Sequence, residues 1–344
     1  MTKKTILKDS NQWLEKLIID EYINYYDYSN FKNIQPIGSG AYGNVNRANW
    51  KSTDHFFALK SFSNNNNKQT LEEIVNELKL HRSVDIHENI IRLCGITKVE
   101  TSEIQKYSLV LEYADSGTLN AYLSKHFNEL NWNDKFHLAL QLASAVEFLH
   151  DNDIIHRDLH KKANTINLQL KHGNNILIHQ KNVKLADFGL SKKIVEASSD
   201  MSKVLGVLPY VDPKGFDDKE NYKLNKKSDV YSIGVLLWQI SSGCRPFREV
   251  HYGPSLMLYI LNGKREKIID GTPVKYSELY TECWKYEPNE RPNTREVVIT
   301  LKAIISPENI ICNSNEGKKN SLLSENYETN SESSKIERHY HQLI

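Results

Sequence analysis

Cysteine is scarce in this chain of 344 residues. Its four cysteines, Cys94, Cys244, Cys283 and Cys312, lie too far apart for a zinc knuckle or a disulfide framework. Reduced thiols in a cytoplasmic protein are what that spacing favours. Long apolar runs are missing as well. Nothing approaches the roughly 18 consecutive apolar residues of a membrane span, and Met1 to Asn11 carries lysines without the apolar core of a signal peptide. Neither sign of charge is in excess: 44 Lys and Arg face 43 Asp and Glu, for a formal net charge of +1. That balance argues against a dedicated nucleic-acid binder, which carries a basic surplus. No internal repeat is visible. What remains is an ordinary globular mixture, 39% hydrophobic and 25% charged, in a length that suits one two-lobed domain with tails.

Along the chain, Trp13, Leu14, Leu17, Ile18 and Tyr22 recur at helical spacing. They predict a short amphipathic helix that packs on the main domain in preference to mediating outside contacts. Strand patterns follow at Phe31 to Ile37, Asn44 to Lys51 and His55 to Phe62, with a glycine-rich turn between the first two. Ser63 to Asn67 reads as a loop. A helix follows, with Thr70 and Glu73 as its expected capping box and Leu71, Ile74, Val75 and Leu78 as its apolar stripe. Further strands are expected near Ile90 to Val99 and Tyr107 to Tyr113. Beyond Gly117 the pattern is helical. Phe136, Ala139, Leu140, Ala143 and Val146 make one stripe, and Asp229 to Ser241 is apolar on most faces, as a helix in the middle of a core would be. From about Pro307 to Ile344 the composition is that of a disordered tail.

Four segments carry chemistry. Gly38-Ser39-Gly40-Ala41-Tyr42-Gly43 is a weak signal by itself, because dinucleotide-binding folds use the same spacing between a strand and a helix. Here a second strand follows, which favours a hairpin whose bare backbone can approach phosphate oxygens. Phe57-Ala58-Leu59-Lys60 puts a lysine in the next strand, and Glu77 on the following helix can hold it by an ion pair. Ile155-His156-Arg157-Asp158-Leu159 and Lys184-Leu185-Ala186-Asp187-Phe188-Gly189 supply aspartates in separate loops. One suits a base or orienting group, the other a magnesium ligand, since magnesium takes one or two carboxylates together with phosphate oxygens.

Taken in order, these segments resemble the motif set of the eukaryotic protein kinases. Lys227 to Gly234, Cys283-Trp284 and Glu290-Arg291-Pro292 extend the match over about Phe31 to Ile305. The wording of the segments is most similar to the tyrosine-kinase-like group, including the expanded kinases of arbuscular mycorrhizal fungi. The resemblance implies an α+β fold of two lobes, the small one with five antiparallel strands and one helix, the large one mainly helical. It implies a division into a helical extension (1–30), a kinase domain (small lobe 31–111, hinge 112–116, large lobe 117–305) and a tail (306–344). It also implies ATP and Mg2+, a protein substrate with a serine or threonine acceptor, and a set of roles. Gly38, Gly40 and Gly43 lie against the phosphates. Val45 covers the adenine, with Ala58 in the same nucleotide-binding set. Lys60 pairs with Glu77 and the phosphates, Leu111 stands as gatekeeper, and the backbone from Glu112 to Ala114 bonds the adenine. Asp158 orients the substrate hydroxyl and accepts its proton, with His156 and Arg157 beside it in the catalytic loop. Asp187 and Asn175 bind magnesium, and Asp229 anchors the loop from the buried helix.

The chain departs from the pattern in places. The asparagine expected five residues after Asp158 is Ala163, whereas Asn175-Ile176-Leu177-Ile178 has the right wording and stands twelve residues before Asp187. The simplest alignment is a twelve-residue insertion at about Lys161 to His172. Three readings stand open: the insertion loops out and leaves Asp158 and Asn175 in register, it leaves a nucleotide-binding pseudokinase scaffold, or it is a gene-model error. A pure interaction module is a further alternative. His160 occupies the place where serine/threonine-specific relatives usually have a lysine. In Gly206 to Lys214, Val207 replaces a threonine and Lys214 a glutamate, so Lys214 is expected to repel Arg291, the glutamate's usual partner, and Arg291 to need another carboxylate. Ser191, Ser198, Ser199 and Ser202 are candidate phosphorylation sites that could pair with Arg157.

Overall fold

The computed structural model describes residues 12–40, 43–51, 53–62, 68–100, 105–159, 175–188, 191–193, 207–216, 222–250 and 252–306. Residues 12–19 form helix α1. A sheet of five antiparallel strands follows, in the order β1-β2-β3-β5-β4. The strands are β1 (Phe31–Gly40), β2 (Gly43–Trp50), β3 (Phe56–Phe62), β4 (Leu93–Glu100) and β5 (Gln105–Glu112). Strand alternation decides which side chains share a face. In register across β3 and β5, Lys60 stands opposite Leu109 and Ala58 opposite Leu111. Ala58, Leu109 and Leu111 share a core with Leu71, Ile74, Val75 and Leu78 of helix α2 (Lys68–Val84). The intervening pair, Leu59 and Val110, turns to the other face and packs with Phe31 and Ala48. Tyr26, Trp50 and Phe57 border that second core. Helix α2 begins ahead of Thr70, so Thr70 lies within its first turn and not at the cap expected from the sequence.

The larger lobe is built from helices α3 (Leu119–His126), α4 (Trp132–Asp151), α5 (Lys226–Ser242), α6 (Pro254–Leu261), α7 (Val274–Cys283) and α8 (Thr294–Ile305). Reciprocal caps start three of them: Asn131 with Asp134 for α4, Asn225 with Ser228 for α5, and Asn293 with Glu296 for α8. Each cap satisfies backbone N–H groups that a helix start leaves open. Every residue of α5 from Ser228 to Ser241 is buried, which is why its sequence is apolar on most faces. Two short two-stranded sheets complete the lobe: β6 (Ile154–Ile155) pairs with β9 (Lys192–Lys193), and β7 (Ile176–His179) forms a hairpin with β8 (Asn182–Leu185). The connection between the lobes is tied to β7, since the Ser116 N–H donates to the Ile178 carbonyl (3.0 Å) and the Ile178 N–H to that of Gly117 (2.8 Å). Among the described residues no helix is long and apolar enough to cross a membrane, and Cys94, Cys244 and Cys283 are free thiols. Cys312 and the expected tail lie outside the described residues.

Candidate active site

The cleft between the lobes is organised by one lysine. Lys60 Nζ lies 2.5 Å from Glu77 Oε1 and 2.8 Å from Asp187 Oδ1, so a strand, a helix of the small lobe and a loop of the large lobe meet at a single cation. Burial works to lower the Lys60 pKa, but the carboxylates of Asp187 and Glu77 outweigh it and hold the ammonium above its ordinary value. The lysine is therefore charged at any ordinary pH.

The catalytic loop is fixed from beneath. Asp229 sits at the start of α5, 1% exposed. Its carboxylate accepts the backbone N–H groups of His156 (2.9 Å) and Arg157 (2.9 Å), and His150 Nε2 lies 2.9 Å away. Burial raises the Asp229 pKa, but the His150 bond and the charges around it more than reverse that, so the carboxyl is held below the usual range. Arg157 takes the left-handed conformation (φ 68°), as does Asp187 (φ 65°). Such backbone costs about 1–3 kcal/mol per residue and persists where surrounding bonds enforce it. His156 is fully buried, with its ring 5.7 Å from that of Phe188, so it supports the loop from behind. Burial lowers its pKa and favours the neutral ring.

Asp158 and Asn175 stand 17 positions apart in sequence yet are in contact: Asn175 Nδ2 donates to the Asp158 carbonyl (2.5 Å) and lies 3.3 Å from its Oδ2. Asp158 and Asn175 thus stand side by side, as the alignment that pairs them expects. The stretch read as an insertion, with Ala163 and Asn164, lies outside the described residues, and so does His160 before it. Asn175 is brought beside the Asp187 segment by the β7–β8 hairpin, across which the Ala186 N–H donates to the Asn175 carbonyl (2.7 Å).

The upper wall of the cleft comes from the sheet. Gly38 pairs with Val45 and Gly40 with Gly43 across the β1–β2 hairpin. Gly43 has φ 144°, and a Cβ there would fall 1.7 Å from the Ser61 carbonyl oxygen, so no other residue fits. Ala41, Tyr42 and Gly189 lie outside the described residues. Val45 packs against the core that contains Ala58 and Leu111. At the hinge, the Glu112 N–H already donates to the Arg92 carbonyl (2.9 Å), and the Glu112 carboxylate meets Lys184 Nζ at 3.0 Å. Ala114 is buried against Ile91 and Ala186.

One expectation is overturned. Lys214 does not repel Arg291. Arg291 forms a two-pronged pair with Asp212, Nη1–Oδ2 2.7 Å and Nη2–Oδ1 2.8 Å, with both side chains fully buried. Lys214 turns away to Glu287 (3.0 Å) and lies over the Tyr286 ring. The physical reason is that Asp212 is close enough in sequence to bring a carboxylate to the same guanidinium, and Ser228 and Tyr222 hydroxyls (each 2.9 Å) complete its shell. Ser191 is buried and its Oγ donates to the His156 carbonyl (3.3 Å), an inner position unlike that of a phosphate acceptor. Ser198, Ser199 and Ser202 lie outside the described residues.

Sequence reasoning missed His150 and His81. His150 sits on the buried face of α4, where a polar residue needs a partner, and that placement was the available signal. His81 Nε2 meets the Ile91 carbonyl at 2.6 Å and its ring lies 5.0 Å from that of Phe188.

This architecture, a five-stranded antiparallel lobe over a helical lobe with Lys60, Glu77 and Asp187 converging between them, is the two-lobed kinase fold. A family model for the protein tyrosine and serine/threonine kinases matches residues 31–301, and the chain belongs to that family. The chain is 28% identical over 80% of its length to Dual specificity protein kinase splA of Dictyostelium discoideum. It is 27% identical over 82% of its length to Mitogen-activated protein kinase kinase kinase 7 of Drosophila melanogaster. It is also 31% identical over 80% of its length to Wall-associated receptor kinase-like 14 of Arabidopsis thaliana. The matches span 12%, 38% and 39% of those relatives, respectively. None of these names lends support to the pseudokinase alternative.

Proposed function

We propose that the chain is an ATP- and magnesium-dependent protein kinase that transfers the γ-phosphoryl group to serine or threonine hydroxyls of a protein substrate. The observation that carries this is the Asp158–Asn175 contact, kept across the inserted stretch, beside a lysine already paired with Glu77 and Asp187. Asp158 accepts the substrate hydroxyl proton as the oxygen–phosphorus bond forms and the bond to the β,γ-bridging oxygen breaks. Lys60 holds the phosphates in line, and Glu77 holds Lys60. Gly38, Gly40 and Gly43 bring backbone to the phosphates. Val45, Ala58 and Leu111 enclose the base, while the Glu112 carbonyl and the Ala114 backbone face its edge. Such catalysis consists mainly of positioning and charge stabilisation.

Magnesium fits the donor set. Asn175 turns its amide N–H group to Asp158, which leaves its oxygen as a hard donor, and its backbone carbonyl accepts from the N–H of Ala186, next to Asp187. Magnesium takes most of its ligands from phosphate and water, so one carboxylate and one amide oxygen are enough protein donors. A bound ion there would neutralise charge on the phosphates.

The serine/threonine preference rests on the similarity to the tyrosine-kinase-like group and on relatives named as serine/threonine kinases, such as the Dictyostelium LIM domain-containing one that is 30% identical over 78% of this chain. The free thiols accord with a reducing compartment, and we take the cytoplasm as its place. We take the kinase domain as 31–305, preceded by a helical extension. Incubation of the purified chain with γ-labelled ATP and magnesium, beside Asp158→Asn, tests the assignment. Transfer by the native chain alone supports it, and phosphoamino-acid analysis reads the acceptor. Nucleotide binding without transfer by either protein would establish the pseudokinase instead.

A further inference from the structure

Residues 12–26 have no part in the chemistry, yet they are built into the small lobe. Helix α1 places Leu14, 1% exposed, and Leu17 in the same core as Leu71, Ile74, Val75 and Leu78 of α2 and Ile96, Tyr107 and Leu109 of the sheet. Lys79 Nζ of α2 lies over the Trp13 ring at 4.8 Å. Glu15 Oε1 accepts from the Tyr107 hydroxyl of β5 (2.7 Å) and from Lys98 Nζ of β4 (3.1 Å). The chain then turns and runs along β4. The Ile96 N–H donates to the Asn24 carbonyl (2.9 Å), the Tyr26 N–H to the Ile96 carbonyl (2.9 Å), and Asn24 Nδ2 to the Cys94 carbonyl (3.1 Å).

Gly95 shows that β4 is shaped for this crossing. A Cβ at Gly95 would stand 2.2 Å from the Asn24 carbonyl oxygen and 2.7 Å from the Tyr26 ring. The strand leaves bare backbone where residues 24–26 pass over it.

We propose that residues 12–26 are a positioning strap that clamps α2 to the sheet and so holds Glu77 against Lys60 without help from a partner protein. The catalytic role of that pair is the reading under Proposed function, on which this inference rests. The mechanical logic is simple. Helix α2 shares one apolar face between the sheet and α1, and Glu77 stands one residue from Leu78 on that helix. A helix that loses part of its packing face gains freedom to shift. A shift of about 1 Å at a catalytic group can cost on the order of 100-fold in rate.

The test is made in the full chain with Leu14→Ala/Leu17→Ala and, as a milder variant, Glu15→Gln. Three quantities are read: kcat and KM for ATP, amide hydrogen exchange across residues 71–84, and recovery on addition of a synthetic peptide of residues 12–26. We expect kcat of the double variant to fall by about 10- to 100-fold with a smaller change in KM, exchange of α2 to speed up while that of α4 and α5 stays as it was, and the peptide to restore both in a saturable way. Glu15→Gln shifts exchange and kcat in the same direction by less, and it decides the matter if the double variant does not fold. Unchanged α2 exchange and unchanged kcat in the folded variants overturn the strap, as does a peptide that binds and restores nothing. If the native chain transfers no phosphate, the catalytic reading fails by itself. Exchange of α2 and its recovery by peptide then still uphold or overturn the clamp.

Discussion

Replacing Asp212 by alanine removes both carboxylate bonds from the Arg291 guanidinium and leaves that charge inside the large lobe. Neither side chain of the pair has any exposed surface, so water cannot take the place of the carboxylate. Removing one partner of such a pair costs about 3–5 kcal/mol, because the remaining ion is desolvated without compensation. The Tyr222 and Ser228 hydroxyls lose their acceptor at the same time. Arg291 keeps bonds to the carbonyls of Lys285 (2.7 Å), Tyr286 (2.8 Å) and Lys227 (2.9 Å), which places the expected loss at the lower end, about 3 kcal/mol. Lys214→Ala breaks a pair whose Glu287 end is half exposed and should cost no more than about 1 kcal/mol. Urea unfolding followed by tryptophan fluorescence measures both. With a slope near ~3 kcal/mol/M, Asp212→Ala should move the midpoint down by about 1 M and Lys214→Ala by a third of that or less. The double change Asp212→Ala/Lys214→Glu should recover part of the loss by returning a carboxylate to the neighbourhood. If Asp212→Ala unfolds within about 0.3 M of the native midpoint, the pair does not anchor segment 207–216 and the argument from burial is wrong.

Asp158→Asn should lower phosphate transfer by at least the roughly 100- to 10,000-fold that a positioned proton acceptor contributes, with thermal stability little changed, as read with γ-labelled ATP. Glu77→Gln should reduce kcat by about 100-fold through misplacement of Lys60, and native-like activity in that variant would count against the pair's role. Deleting Lys161 to His172 should leave transfer within about 10-fold of native, because the Asp158–Asn175 contact spans the junction without those residues. His81 supplies a pH test. Burial, first, and then the nearby Lys60 charge push its pKa down to about 4 from its ordinary 6.5, against the opposing bond to Ile91 and the Asp187 charge. A base with a lowered folded pKa destabilises the fold as pH falls through the unfolded value, so native stability should decline between about pH 6.5 and pH 4, by up to about 3 kcal/mol. His81→Gln should flatten that part of the curve, and coincident curves for the two proteins would refute the assignment.

The candidate site residues were legible in the sequence because each lies in a short run whose order is itself informative. Gly38 to Gly43, Ala58 to Lys60, His156 to Asp158 and Asp187 need no knowledge of distant partners. The strands were legible as short runs between turns, while the division of Lys60 and Ala58 from Leu59 between the faces of the sheet came from the structure. What stayed hidden depends on pairs joined only by folding. Asp212 and Arg291 are 79 residues apart, and without the fold Lys214 looked like the residue that Arg291 would meet. His150 and His81 are single histidines on helices and become informative only when their partners, Asp229 and the Ile91 carbonyl, are known. The start of α2 was misplaced because the Thr70 and Glu73 pattern marks a start that lies inside the helix, which already runs from Lys68.

The catalytic loop explains how an interruption after Asp158 can leave the site in register. Its upstream side is fixed before the insertion: β6 pairs with β9, and Asp229 takes the N–H groups of His156 and Arg157. Its downstream side is fixed after it: Asn175 leads into the β7–β8 hairpin, which is bonded both to the hinge at Ser116 and to Ala186 beside Asp187. Each flank has its own anchors, so neither relies on the intervening residues for its position. The cost of a longer loop grows only with the logarithm of its length, by about 0.6 kcal/mol per doubling. That is small beside the bonds on either side. Severing the anchors should therefore damage the site more than removing the insertion, and Asp229→Asn compared with deletion of 161–172 is the pair of variants in which that order has to appear.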